Sequence, residues 1–353
     1  MSNPLFTWQT EAWQLIQGMR ARLPHAILFF GAEGIGKTIF AEHLAQSLLC
    51  ETPDGAGHAC GNCLSCGWFA QYSHPDYRRV RPELLDQGDA LSDDAESDSA
   101  DKAGEKSSEK SAAKASKTPS KEIVINQVRA LADFMNISTH RQGRRVVLLY
   151  PAEAVNTFAA NALLKSLEEP NPNTVFVLVS HSIDQLLPTI LSRCHKIPLP
   201  MPKKADALAW LKENKVRDAE TWLALKGGAP LAAMAMAESE SRAYLDVFLK
   251  EVSEPSLDAS LRLAEKIHKL DMSTTVTWLQ SWLYDIVSVK QSGIIRYYPS
   301  YARELKLLAA RVDTHALHAF VKTANEKQAV AKHPLSPKLF LEDLLLNYAT
   351  LFS

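Results

Sequence analysis

A short apolar run, Ala26-Ile-Leu-Phe-Phe30, leads directly into Gly31-Ala-Glu-Gly-Ile-Gly36-Lys37-Thr38, and a helical pattern starts at once behind it. The spacing G-x-x-x-x-G-K-[ST] between a strand and a helix is the context of a phosphate-binding loop. Gly31, Gly34 and Gly36 let backbone N–H groups turn inward around phosphate oxygens. Lys37 would set a point charge on the β- and γ-phosphates, and Thr38 would hold Mg²⁺. The start of the following helix adds a favourable dipole. Glu33, inside the loop, is expected to be solvated. Two more apolar runs, 146–150 and 175–179, read as strands buried on both faces of a parallel sheet. Helical spacing at 39–49 and 155–167 alternates with them. This alternation predicts an α/β domain.

A length of 353 residues suggests two or three domains. Pro198, Pro200 and Pro202 punctuate the chain after the α/β part. Helical patterns follow at 205–213, 219–225 and 231–238, with a turn at Gly227-Gly228-Ala-Pro230. This reads as a small helical unit. From about residue 242 onward nearly everything is helical, including 257–270, 274–290, 301–311 and 338–351. Trp278, Leu279, Trp282, Leu283 and Ile286 recur at spacings of three and four, the stripe of an ordinary bundle core. Residues 92–122 contain no Val, Ile, Leu or aromatic side chain. An acidic half precedes a lysine-rich half there, and the segment cannot bury enough apolar surface to offset ordering entropy. It is expected to be a disordered insertion in a surface loop.

Lys+Arg 39 against Asp+Glu 40 leaves a net charge of -1. A protein gripping DNA by its overall charge would be strongly basic, so that class is disfavoured. The first residues show no secretory pattern and no apolar run approaches membrane-spanning length, so the expected compartment is the cytoplasm. Structural disulfides are rare there. Cys50, Cys60, Cys63 and Cys66, spaced C-x9-C-x2-C-x2-C, are therefore read as metal ligands. Two-residue gaps let thiolates converge on one tetrahedral ion, and four sulfurs close the coordination sphere. Structural zinc is the favoured occupant. An iron–sulfur cluster or unligated thiols are the alternatives. His58, a loop histidine, is expected to be exposed rather than a ligand, and Cys194 to be a small buried residue.

Hydrolysis of a bound nucleotide needs acids at the end of a neighbouring strand, to hold Mg²⁺ and orient water. The strand at 146–150 instead ends Tyr150-Pro151-Ala-Glu153. Glu153 could substitute from a shifted register; its plainer role is a first-turn acid complementing a helix dipole.

Several segments in order carry a resemblance. They are Leu23-Pro-His-Ala-Ile-Leu before the phosphate loop, the four-cysteine insertion after its helix, and His74-Pro-Asp-Tyr77. Asn161-Ala-Leu-Leu-Lys-Ser-Leu-Glu-Glu-Pro170 and Leu191-Ser-Arg-Cys194 follow. The chain resembles the AAA+ clamp-loader subunits of bacterial DNA polymerase III, most closely the delta-prime branch, over all but the acidic/basic insertion. The resemblance implies an AAA+ α/β P-loop domain at 1–197 with a zinc-binding insertion at 50–66; the disordered insertion read from composition falls within that domain, at 86–122. The resemblance further implies a three-helix lid at 198–240 and an all-α collar for oligomerisation at 241–353. It implies a hetero-pentamer with motor and delta-type subunits that opens a sliding clamp and places it on primed DNA, as part of a polymerase holoenzyme. Arg193 would reach into a neighbouring subunit's ATP site, where a cationic finger in trans stabilises charge on the transferred phosphoryl group. Tyr150-Pro151 and the lack of an arginine after Gly227-Gly228, where Leu231 stands, fit a stator that hydrolyses no ATP itself. The phosphate loop is intact, so ATP and Mg²⁺ binding stays open.

Two other readings compete. A self-sufficient AAA+ ATPase, such as a motor subunit of the loader, needs the missing acids and lid arginine. A zinc-bearing nucleic-acid-binding module needs clustered aromatics and basic residues, which are not present.

Overall fold

The computed structural model describes residues 5–86, 119–136, 143–239, 241–331 and 336–352. They belong to two units, Met1–Met201 and Pro202–Ser353. Most of the expected insertion, residues 87–118, lies outside the described residues.

The first unit is built on strands β1 (Ala26–Phe30), β2 (Tyr77–Val80), β3 (Arg145–Leu149), β4 (Thr174–Ser180) and β5 (His195–Pro198). They form one parallel sheet in the order β2-β3-β4-β1-β5. The apolar runs read from the sequence are β1, β3 and β4, whose side chains are almost wholly buried. The edge strands, Tyr77-Arg-Arg-Val80 and His195-Lys-Ile-Pro198, are short and polar, as exposed sheet edges require. β1 lies between β4 and β5, where chain order reverses. Open α/β sheets bind ligands at the carboxyl ends of strands at such a point.

Helices α1 (Thr10–Met19), α2 (Lys37–Leu49), α3 (Leu64–Ala70), α4 (Ile125–Asn136), α5 (Thr157–Glu168) and the short α6 (Pro188–Leu191) accompany the sheet. Leu28, Val147, Phe176 and Leu178 share a core with Val128 and Leu131 of α4 and Leu163 and Leu167 of α5. On β1's alternate face, Phe29 meets Phe40 of α2 edge-on at 5.0 Å, and Phe40 meets Trp13 of α1 at 6.1 Å. α5 starts at Thr157, two residues later than the apolar spacing suggested. The Asn156 side chain caps it by accepting the Ala159 N–H at 2.9 Å.

The second unit is helical: α7 (Lys204–Glu213), α8 (Ala219–Leu225), α9 (Pro230–Glu238), α10 (Ser241–Ser253), α11 (Leu257–Ile267), α12 (Met272–Ser292), α13 (Ala302–Arg311), α14 (Thr314–Val330) and α15 (Pro337–Thr350). Buried residues from α7 through α15 form one cluster. Trp278, Leu279, Trp282, Leu283 and Ile286 lie at its centre on α12, as their spacing predicted. Trp282 Nε1 donates to Tyr348 Oη at 2.8 Å, and that hydroxyl donates to the Val252 carbonyl at 2.8 Å.

The same helix buries an acid that periodicity did not reveal. Asp285 is fully buried and accepts the backbone N–H groups of Arg296, Tyr297 and Tyr298 at 2.8, 3.0 and 2.8 Å. Burial pushes its carboxyl up from the usual range, and these three N–H groups oppose the shift. Asp285→Ala leaves those donors without their acceptor. At about 1–3 kcal/mol per stranded buried group, partly recovered by water, the expected loss is about 3 kcal/mol. Asp285→Asn keeps one acceptor oxygen and loses less. Denaturant unfolding of both variants measures this.

Candidate functional site

The phosphate loop leaves β1 at Gly31 and enters α2 at Lys37. Gly31 has φ of +152°, and a Cβ there would sit 2.4 Å from the Leu199 carbonyl oxygen. Gly36 has φ of +88°, and its Cβ would strike the Phe6 ring at 2.5 Å. Both positions therefore admit only glycine. The segment before α1 closes on the loop. Trp8 Nε1 donates to the Ile35 carbonyl at 3.0 Å, and Gln9 Nε2 donates to the Ile35 and Gly36 carbonyls at 3.2 and 2.9 Å. Phe6 and Trp8 stack with centroids 4.7 Å apart. Nothing local in the sequence marked these contacts, which span about 27 residues.

Lys37 is buried, and its Nζ donates to the Ala32 carbonyl within the loop at 2.5 Å. A phosphate oxygen can replace that acceptor, so the loop fits a nucleotide's phosphates. Burial lowers the Lys37 pKa to about 8, against the pull of Glu153 and Glu33. Glu33 is exposed, as expected.

After β3 the chain passes through Tyr150-Pro151, joined by a cis peptide, into a 3-10 turn at Ala152–Ala154. Glu153 is not a first-turn acid of α5. Its Oε1 accepts the His181 N–H at 2.9 Å, while its Oε2 is buried without a partner among the described residues. His181 follows β4 directly. Burial holds its imidazole below the usual pKa, and the Lys37 charge reinforces this. Sequence reasoning missed His181; its signal is a polar residue directly behind a buried strand that neighbours β1.

The four candidate metal ligands come together. Their Sγ atoms all lie within 4.8 Å of one another, with Cys50–Cys63 and Cys60–Cys66 at 4.0 Å. Metal–sulfur bonds of about 2.3 Å give tetrahedral sulfur–sulfur edges of about 3.8 Å, so the cluster fits one four-coordinate ion. Cys63 caps α3, and backbone N–H groups of Cys60, Cys63 and Cys66 donate to the sulfurs of Cys50, Cys60 and Cys63 at 3.2, 3.4 and 3.4 Å. A hydrogen bond with the Thr52 side chain, then the N–H groups of Asn62 and Cys63, draw the Cys60 thiol down to about 6. Burial, then Cys63, push the Cys66 thiol up. A bound cation would let all four be deprotonated together.

His58 is not simply exposed. It stacks on Trp13 at 4.8 Å, and its Nδ1 lies 2.9 Å from His43 Nε2. α1 and α2 thus supply an aromatic face and a hydrogen-bond partner, which keep the ring outside the sulfur set. Trp13 Nε1 donates to the Ala56 carbonyl at 3.0 Å, and Arg20 Nη1 to the Gly57 carbonyl at 3.1 Å. On the far side of the module, Ser65 Oγ donates to the Leu49 carbonyl at 2.7 Å. His74 Nε2, 2.6 Å from Ser65 Oγ, must then be the donor, while Nδ1 accepts the Asp76 N–H at 3.0 Å. His74-Pro-Asp thus ties the module to the start of β2.

Arg193 lies between α6 and β5 on the surface. Its Nη1 donates to the Thr189 carbonyl at 2.8 Å and to Ser192 Oγ at 3.2 Å, and its Nη2 to Glu168 Oε1. Cys194 is buried, and burial pushes its thiol up to about 11. Gly227 and Gly228 turn with positive φ into α9, which begins Pro230-Leu231, so no arginine stands at that turn. No helix among the described residues is long and apolar enough to cross a membrane.

Comparison with known proteins bears on the whole chain. The family described as DNA polymerase III, delta subunit, matches residues 8–203, and its C-terminal counterpart matches 242–350. DNA polymerase III subunit delta' of Pseudomonas aeruginosa is 34% identical, over 98% of this chain and 98% of that protein. The Haemophilus influenzae subunit delta' is 32% identical over 60% of this chain and 54% of its own length. The Escherichia coli subunit delta' is 28% identical over 74% and 69%. With one family match covering more than half the chain and one relative aligned almost end to end, the chain belongs to the family of DNA polymerase III delta' subunits.

Proposed function

We propose that this chain is the stator of a DNA polymerase III clamp loader, and that it serves a neighbouring ATPase subunit with Arg193 while hydrolysing no ATP itself. The carrying observation is the split between its two half-sites. An arginine stands at the surface in Ser192-Arg193-Cys194, while Tyr150-Pro151 occupies the place of the hydrolytic acids. Its partners are motor and delta-type subunits in a hetero-pentamer, and the sliding clamp and primed DNA are engaged through that assembly. The division into an AAA+ domain at 1–197, a lid at 198–240 and a collar at 241–353 is part of this reading. The four cysteines hold a structural zinc, which fixes a module and takes no part in chemistry. Omitting the chain from a reconstituted loader tests the assignment: clamp loading onto primed DNA should be lost.

The intact loop further suggests that Gly31, Gly34, Gly36, Lys37 and Thr38 hold nucleotide phosphates with Mg²⁺ without turnover. Its lysine then sets a pH profile. Below pH of about 8 Lys37 is charged in the free site; above it the charge is lost. Nucleotide affinity of the isolated chain should fall above that pH by up to about tenfold per unit. Calorimetric titrations between pH 6.5 and 9.5 check this, and Lys37→Met should flatten the profile. For folding the sign is opposite. The depressed pKa disfavours the native state fully below about 8, and the penalty lifts as pH rises toward 10.5.

A further inference from the structure

Glu168 is the last residue of α5. A carboxylate there faces the negative end of the helix dipole, where acids are disfavoured. Lys165 in the same last turn complements the dipole, and the carboxylate itself is paired by a cation from 25 residues away: Glu168 Oε1 accepts from Arg193 Nη2. The rest of the guanidinium is held as well. Nη1 is committed to the Thr189 carbonyl and Ser192 Oγ, and Nε is buried without a partner among the described residues. The pair still reaches solvent, with side chains 31% and 48% exposed for Arg193 and Glu168. The guanidinium is thus gripped on one side by α6 and the Ser192 that ends it, and on the other by α5.

We propose that Glu168 is the positioning residue of the Arg193 finger: its carboxylate fixes the guanidinium plane so that the second Nη2 N–H meets the neighbouring subunit's γ-phosphate. This rests on reading Arg193 as a finger in trans. A free arginine has many rotamers to lose, and a finger works by holding its charge still where charge accumulates. At the served site a water oxygen bonds to the γ-phosphorus as that atom's bond to the β–γ bridging oxygen breaks. ADP leaves with the electron pair, and the water's proton passes to phosphate or solvent. Glu168 takes part in none of these bond changes. It acts through Arg193 alone, and it keeps the arginine's charge from swinging into solvent.

Loaders reconstituted with Glu168→Ala, Glu168→Gln, Arg193→Ala and the Glu168→Ala/Arg193→Ala double variant test this by steady-state ATPase with clamp and primed DNA. Glu168→Ala should lower the Arg193-dependent part of kcat by roughly tenfold with the KM for ATP unchanged, since misplacement acts on the transition state. Glu168→Gln keeps an acceptor oxygen and should retain most of the rate. The double variant should be no slower than Arg193→Ala. Thermal midpoints should barely move, because exposed ion pairs contribute little to folding. If Arg193→Ala is slow while Glu168→Ala runs at the native rate or faster, positioning by Glu168 is wrong and the finger stands. A double variant slower than Arg193→Ala also overturns the proposal, because Glu168 would then act elsewhere. An unchanged rate for Arg193→Ala removes the finger itself.

Discussion

Arg193→Ala should lower ATP hydrolysis at the site it is proposed to serve on the order of a thousandfold or more, while the isolated chain, native or mutant, should hydrolyse essentially none. The first expectation follows from where charge develops: the leaving γ-phosphoryl group spreads negative charge over its oxygens, and a cation fixed beside them stabilises it. In the proposed assembly other sites would have fingers of their own, so the total rate should fall by less. The second expectation follows from the proposed stator reading, in which Tyr150-Pro151 stand where Mg²⁺ and water would need carboxylates. Steady-state ATPase of the chain alone and of the reconstituted loader measures both. Turnover by the isolated chain that disappears in Lys37→Ala would make it a motor. Glu153, whose Oε2 is buried and unpartnered among the described residues, would then be the acid to mutate next.

Protein purified without added metal should contain close to one zinc per chain, and Cys66→Ser should contain almost none. Structural zinc in small peptides supplies an apparent ~10–16 kcal/mol, because the unfolded chain has no site. Here the module is also fastened by Trp13, Arg20, Ser65 and His74. The expected cost of losing the ion is therefore smaller, roughly 3–5 kcal/mol. That lowers the thermal midpoint of a unit this size by roughly 10 °C. Elemental analysis and calorimetry with and without chelator measure it. Iron with sulfide, or metal-free protein of equal stability, would refute the zinc assignment.

What the sequence disclosed depended on how local the governing physics is. β1, β3 and β4 were legible because a strand buried on both faces is apolar along its middle, with Arg145, Thr174 and Ser180 only at the ends. β2 and β5 were not, since edge strands carry charge and break the pattern. The phosphate loop and the cysteine set are short spacings and could be read directly. The N-terminal segment's grip on the loop, the Glu168–Arg193 pair and Asp285's three backbone donors could not. Each joins residues more than ten positions apart, and only the finished fold brings them together.

The close fit of Gly31 against Leu199 has a mechanical meaning. Leu199 also donates its N–H to the Phe30 carbonyl at 2.8 Å, so the chain leaving β5 is pinned to Phe30 and passes close over Gly31 at the mouth of the loop. Two residues further on the first unit ends, at Met201. The space between the loop and this exit segment does not hold a side chain at Gly31. The loop and the exit segment can approach this closely only because no Cβ stands between them. The first glycine of the loop is thus also a spacer of zero thickness, and a methyl group placed on it would wedge the exit segment away from the loop and strain the Leu199–Phe30 hydrogen bond.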